Sequence, residues 1–280
     1  MFVAKTINAY QEYYENTFKS GQIGFVPTMG FLHDGHISLV RESVKNNDFT
    51  VVSIFVNPKQ FGQNEDLAAY PKDFNRDRER LETEGVDLLF FPDEVEIYPE
   101  KNQLSIHILP EFTNILCGRF RDSHFEGVAL VVLKLFNIIR PDNAYFGQKD
   151  YQQFQLIQTM IDEFNLAIKL HAMPIIREKS GLAMSSRNSY LSPSDKLLAA
   201  NIYKGLLHIE EQVMANNLSL KDVSLEYTNY LKLKSDKMKM QYIEVYDRRL
   251  KPLSQLETGN MFMGTAVFIG NVRLIDNILF

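Results

Sequence analysis

Gln22–Val56 reads QIGFVPTMGFLHDGHISLVRESVKNNDFTVVSIFV, and three signals follow one another along it. Gln22–Thr28 is a short apolar run suited to a buried strand. Ile37–Asn46 carries Ile37, Val40 and Val44 at helical spacing. Phe49–Val56 returns as an uninterrupted, β-branched run of the kind found in central strands covered on both faces. Strand, helix, strand in that order is a crossover unit, the connection that parallel strands require.

The same alternation continues outward. Asp73 is predicted to cap a charged helix that stops at Gly85, with a strand at Asp87–Phe91 behind it. A helix over Gly127–Ile139, a strand at Ala144–Phe146, a helix over Tyr151–Phe164 and a strand at Ala167–Met173 repeat the rhythm. The expected fold is therefore α/β, a largely parallel sheet with helices on both faces. The pattern changes after about Ile176. Ser185–Asp195 (SSRNSYLSPSD) is polar and turn-rich. Helical stretches near Lys196–Asn216 and Lys221–Leu233 follow, then short runs at Met240–Tyr246, Ala266–Ile269 and Val272–Leu274 spaced for an antiparallel meander. Two domains are expected: residues 1–176, and a smaller C-terminal α+β domain over 177–280. A length of 280 residues fits that division, since domains average about 150 residues.

Composition narrows the class. With 45% hydrophobic and 23% charged residues the chain is globular, not disordered. Thirty basic against thirty-five acidic residues leave a net charge of −5, which disfavours a general nucleic-acid coat. Cys117 stands alone, so no internal disulfide or cysteine-rich zinc site can form. A buried inert thiol is the reading for it. No run approaches the roughly 18 uninterrupted apolar residues of a membrane span, and the polar, aromatic N-terminus is no signal peptide. The chain reads as a soluble, cytoplasmic protein without a membrane partner.

Four clusters carry chemistry. Met29-Gly30-Phe31-Leu32-His33-Asp34-Gly35-His36 lies between the first strand and first helix of the crossover unit. There, ligands bind beyond the strands' carboxyl ends and a helix N-terminus attracts phosphate. Gly30 and Gly35 permit a sharp turn or close ligand approach, and His36 falls in the first helical turn. Paired imidazoles can donate to phosphate oxygens as pyrophosphate departs; ordinary surface histidines in a glycine loop are the bland alternative. The segment is neither a Walker loop nor a GxGxxG fingerprint. Asn57-Pro58-Lys59-Gln60 leaves the next strand, and Asn57 and Gln60 offer neutral amides for a polar ligand carrying hydroxyls and a carboxylate. A plain Asn-Pro turn explains it equally well. Gly147-Gln148-Lys149-Asp150 leaves a third strand: Gly147 for close approach, Lys149 as a point charge for phosphate, Asp150 as a cap or ribose acceptor. Met184-Ser185-Ser186-Arg187 follows the domain boundary as two hydroxyls and a guanidinium suited to triphosphate oxygens, or as a polar linker.

In this order and at these intervals, MGFLHDGH, SIFVNPKQF, YFGQKDYQQ and AMSSRN closely resemble the pantothenate synthetase (pantoate–β-alanine ligase) family. SHFEGV at Ser123–Val128, RPDNAYFG at Arg140–Gly147 and RLIDN at Arg273–Asn277 extend the resemblance over essentially the whole chain. Phe31 stands where the family often has a small or amide residue, and Gln148 where glutamate is common.

The resemblance implies a Rossmann-like first domain and a lid-like second one, a cytoplasmic homodimer, and ATP and Mg2+ as requirements. Pantoate and ATP would give pantoyl adenylate and pyrophosphate; β-alanine would then displace AMP. Met29 to His36, Gly147 to Asp150, Ile176 and Met184 to Arg187 would contact ATP. Gln60 would contact pantoate and β-alanine, Gln153 pantoate, and Asn57 is placed in the same substrate pocket. Catalysis would rest on His36 as proton donor, with His33, Lys149 and Arg187 neutralising charge and Ser185 and Ser186 holding β- and γ-oxygens. Asp77 is taken as the metal partner, an exposed helix carboxylate being the competing reading. The remaining alternatives are another histidine-loop nucleotidyltransferase, or a non-catalytic nucleotide-binding module.

Overall fold

A computed structural model describes residues 1–18, 20–62, 65–99, 104–215, 217–256 and 259–280. Its elements begin with β1 (Phe2–Ala4), α1 (Ile7–Thr17), β2 (Ile23–Thr28), α2 (Asp34–Asn46), β3 (Phe49–Ile54), α3 (Phe74–Thr83) and β4 (Leu88–Phe90). Then come α4 (Glu94–Ile97), α5 (Pro110–Thr113), α6 (His124–Ile139), β5 (Asn143–Gly147), α7 (Tyr151–Glu163) and β6 (Lys169–Met173). The C-terminal part holds α8 (Pro193–Ala199), α9 (Asn201–Met214), α10 (Val223–Lys234), β7 (Met238–Asp247), β8 (Met261–Ile269) and β9 (Val272–Leu279). The chain divides into two compact units. One comprises residues 1–110, 121–148 and 156–174; the other comprises 111–120, 149–155 and 175–280. Two short segments from before residue 176 thus group with the C-terminal residues.

The first unit is the expected parallel sheet. Among the described residues its strand order is β1-β4-β3-β2-β5-β6, and every pairing is parallel. All six residues of β3 are buried, which is why its sequence is continuous and not alternating. The faces separate by residue parity. Val26, Val52 and Leu89 pack with Leu39 and Val40 of α2 and Leu81 of α3. Phe25 and Phe146 meet Phe136 of α6 edge-on from the other side, and there Tyr10 of α1 donates its hydroxyl to Ile139 O at 2.9 Å. Helices cover both faces, as the alternation predicts.

Three elements in this unit escape the sequence reading, β1, α1 and the single-turn α4. A three-residue strand shows no periodicity, and α1 buries only Tyr10. The helix α2 begins three residues before the expected Ile37, because its cap is a histidine.

In the second unit β7, β8 and β9 form the predicted antiparallel meander. The stretch expected as one helix near Lys196–Asn216 is two helices meeting at Ala200, which keeps helical angles at φ −60° and ψ −20°. Asn216 itself lies outside the described residues. Ser192 caps α8, with Pro193 in its first turn. Ile202, Leu206, Ile209 and Val213 of α9 and Tyr227 and Leu231 of α10 pack with Met261, Met263 and Val267 of β8 into one apolar core.

Candidate active site

In the first unit β2 has β3 on one side and β5 on the other, and the order of strands reverses between β2 and β5. Ligands of open parallel sheets bind outside the carboxyl ends at such a reversal. Met29 to His33 leave β2 there. Gly30 (φ +81°) and Phe31 (φ +51°) are consecutive left-handed residues. For a bulky side chain that conformation costs about 1–2 kcal/mol, so something must hold it. Asp77 of α3 does: its two carboxylate oxygens accept Phe31 N–H at 2.6 Å and Leu32 N–H at 2.7 Å. A Cβ on residue 30 would come 3.1 Å from Asp77 Oδ2 and 3.0 Å from Ile54 Cγ2, so a larger residue there would crowd both and add backbone strain. Arg80, one turn on, donates to Leu32 O at 3.0 Å and pairs with Asp34. The Arg76 guanidinium lies 5.3 Å from the Phe31 ring centroid.

Asp77 is therefore not the exposed helix carboxylate of the competing reading, being only 1% exposed. Burial pushes its carboxyl above the usual carboxylate range, while the Leu32 and Phe31 N–H bonds pull the other way. Charge on α3 disguises it, since a run of DRER gives no sign of which acid turns inward.

The two histidines close the loop onto α2. His33 is the N-cap; its Nδ1 accepts Gly35 N–H at 3.1 Å, and His36 Nδ1 accepts His33 N–H at 3.3 Å. This is a capping box with imidazoles where hydroxyl and carboxylate groups usually serve. The rings sit 4.0 Å apart between centroids. A nitrogen that accepts an N–H carries no proton, so both rings bear theirs on Nε2. Gly35 lies within the first turn of α2.

The Asn57–Gln60 turn meets this loop directly: Gln60 Nε2 donates to Met29 Sδ at 3.2 Å. Asn57, expected to touch substrate, is instead 1% exposed and its amide is fully occupied. Its Oδ1 accepts Tyr98 OH at 2.9 Å and Lys59 N–H at 3.3 Å. Its Nδ2 donates to Gly127 O and to Gln60 Oε1, both at 3.0 Å. Asn57 stands behind Gln60 and orients it. Two further groups, invisible to sequence reasoning as site residues, fix the turn's backbone. His124 Nδ1 lies 2.8 Å from Gln60 O, and Arg121, paired with Glu65, lies 2.8 Å from His124 Nε2.

The second unit holds Lys149, Asp150, Gln153, Ile176 and Met184 to Arg187. Ile176 and Met184 face each other, Met184 N–H donating to Ile176 O at 2.9 Å, in a hairpin that turns at Gly181 (φ +97°). Ser185 caps the following helical turn by accepting Arg187 N–H at 3.3 Å. Lys149 Nζ is 3.7 Å from Asp150 Oδ2, and Lys149 O accepts Asn277 Nδ2–H at 2.9 Å. The neighbouring Asp276 binds Arg177 through both oxygens, at 2.6 and 2.9 Å. Strand β9 thus ties the hairpin base to the Lys149 backbone, a role that RLIDN does not announce. Burial pushes the Asp276 carboxyl up, against the pull of Arg177. Of the adjacent glutamines, Gln152 is buried and bonded to Cys117 N, Gly118 N, Phe112 O and Ile115 O, whereas Gln153 is half-buried.

Among the described residues no group of three or more His, Cys, Asp or Glu side chains gathers as a metal site. Asp77 already serves two amides, with guanidinium groups one and three residues away along α3. So occupied, Asp77 does not fit as a magnesium ligand.

The family model for pantoate-beta-alanine ligase matches residues 2–279. The chain belongs to that family. Pantothenate synthetase from Sulfurihydrogenibium sp. is 48% identical over 264 residues, 92% of each chain, and that from Caldicellulosiruptor saccharolyticus is 45% identical over 282 residues, 100% of this chain and 99% of the relative. The crystal structure of pantothenate synthetase from Thermus thermophilus superposes with a TM-score of 0.91 at 36% identity, over 99% of both chains. Pantoate-beta-alanine ligase from Francisella tularensis, complexed with β-γ ATP and β-alanine, gives a TM-score of 0.84 at 39% identity, over 100% of this chain and 97% of that one.

Proposed function

We propose that this chain is an ATP-dependent pantoate–β-alanine ligase. The observation that carries the reading is membership of the family along residues 2–279. A pantoate carboxylate oxygen attacks the α-phosphorus of ATP, the bond to the pyrophosphate oxygen breaks, and pantoyl adenylate forms. The neutral amine of β-alanine then attacks the acyl carbon; the amine loses a proton and AMP leaves with the bonding electrons.

Both partners of the first step are anions, so the protein's task is to neutralise charge and align the attack; alignment alone is worth roughly 7–11 kcal/mol. The tautomers imposed by the cap of α2 support the roles given to the histidines. His33 and His36 donate from Nε2 to phosphate oxygens, and His36 follows the charge that develops on departing pyrophosphate. Met29 to His36 give their backbone to ATP at the start of α2, and Gly147, Gln148, Asp150, Ile176 and Met184 contact the nucleotide. Lys149 and Arg187 neutralise phosphate charge, and Ser185 and Ser186 hold terminal oxygens. Gln60 binds pantoate and β-alanine, Gln153 binds pantoate, and Asn57 acts through Gln60. Mg2+, which the family resemblance implies, would be held mainly by the nucleotide's phosphates and would supply charge neutralisation there. A cytoplasmic homodimer completes the proposal from family resemblance; no helix among the described residues is long and apolar enough to cross a membrane.

Pyrophosphate exchange into ATP tests the reading. Exchange that needs pantoate, with net AMP release that needs β-alanine, is the expected result. Exchange indifferent to pantoate, or AMP release indifferent to β-alanine, overturns it in favour of another nucleotidyltransferase.

A further inference from the structure

We propose that Asp77 is a positioning residue of the ligase reaction, holding the left-handed Gly30–Phe31 turn so that the histidines are presented to the nucleotide, and that it is not a magnesium ligand. The inference rests on the ligase reading for its choice of assay but on local geometry for its content. Asp77 is buried and gives one oxygen to each of two consecutive amides, Phe31 N–H and Leu32 N–H. Those amides belong to the residues just before the N-cap His33. A shift of the Phe31–Leu32 backbone therefore moves His33, and through the His36–His33 bond it moves both rings.

Three features favour an anchor over a metal ligand. The carboxylate lies close under the loop, with Oδ2 only 3.1 Å from where a Cβ on Gly30 would stand. Phe31 has φ +51°, a conformation a phenylalanine keeps only under restraint. Arg76 lies over the Phe31 ring and Arg80 binds Leu32 O, so α3 grips the same two residues through three side chains, as a structural anchor does.

Asp77→Asn keeps the shape but turns an amide N–H toward one of the two donors. Turnover is expected to fall by roughly 10²-fold, the scale of an ångström misplacement, with the half-saturating Mg2+ concentration unchanged and the His33 and His36 ring signals displaced in the NMR spectrum of the free enzyme. Introducing Phe31→Gly relieves the left-handed strain, so Asp77→Asn should cost less in that background than in the parent. A rise of tenfold or more in half-saturating Mg2+ with unmoved histidine signals overturns the proposal, as does an equal cost in both backgrounds. Should Asp77→Asn not fold, the parent protein still decides. Millimolar Mg2+ added without nucleotide should leave the Phe31 and Leu32 amide signals in place, and a saturable shift there refutes the anchor. Parent enzyme lacking pantoate-dependent exchange would sink the ligase reading while the ring and amide signals still judge Asp77.

Discussion

His36 Nδ1 accepts the backbone N–H of His33 at 3.3 Å, so one ring serves both as helix cap and, in the proposed reaction, as phosphate donor. The two jobs use opposite nitrogens and can be separated by substitution. In His36→Asn the side-chain oxygen can replace Nδ1 as cap acceptor, but nothing replaces Nε2–H. Its thermal midpoint should match the parent's while kcat falls between roughly 10²- and 10⁴-fold. His36→Ala should lose turnover similarly and also about 1 kcal/mol of stability from the missing cap. Near-parental turnover in His36→Asn would remove the imidazole from the chemistry.

Gln60 and Asn57 should fail differently, although only three residues separate them. Gln60→Ala removes a half-exposed amide and is expected to raise KM for pantoate and β-alanine with little change in denaturant midpoint. Asn57→Ala strips the buried Tyr98 hydroxyl of its acceptor and removes a partner of Lys59 N–H. Leaving buried groups unpaired costs about 1–3 kcal/mol each. Its signature is lost stability together with raised KM, read by urea unfolding alongside kinetics. A stable Asn57→Ala with selectively lost substrate binding would return Asn57 to direct contact.

Two glycines give a contrasting pair. A Cβ on Gly127 of α6 would lie 2.1 Å from Lys59 O, a backbone atom of the Asn57–Gln60 turn. Gly127→Ala must push that turn away and should destabilise by about 1–3 kcal/mol. At Gly147 an added Cβ meets nothing within 4 Å, so Gly147→Ala should unfold like the parent and show its effect only as a raised KM for ATP. An unchanged KM for ATP would mean that no ligand comes close at Gly147.

Periodicity carries the fold and motif order carries the family, but neither separates a residue that touches ligand from one that holds such a residue. FTVVSIFV reads as a central strand because burial on both faces leaves no polar position. The exit loops of β2, β3 and β5 are likewise legible as sharing one edge of the sheet, where the proposed ligands bind. The burial of Asn57 and Asp77 is hidden from the sequence for one shared reason: polar type in a loop or charged helix says nothing of burial, which is set by what packs across. Tyr98, Gly127 and Phe31 arrive from roughly 40 to 70 residues away, and no local pattern announces such pairings. The start of α2 escapes because histidine is not among the usual caps.

His171, on the edge strand β6, sets an acid limit. Its ring stacks on Tyr145 at 4.6 Å and its Nε2 lies 2.8 Å from Asn143 Oδ1, an arrangement that needs only one ring proton. Burial first, and Lys169 second, hold its pKa below the ordinary 6.5. A depressed value means that the unfolded chain takes the proton more readily than the folded one. The stability from His171 is then complete above pH 6.5 and declines as pH falls through the folded value. Asp77 and Asp276, whose carboxyls burial raises, carry the opposite sign. Their contribution is complete below the ordinary value of 3.8 and is lost as pH rises through the folded one, so neither can mimic a loss on acidification. His171→Gln keeps an amide donor toward Asn143 and abolishes the titration. Thermal midpoints of parent and variant, taken from above to below pH 6.5, should diverge on the acid side, with the parent falling more steeply. Parallel curves would mean that His171 titrates alike in both states.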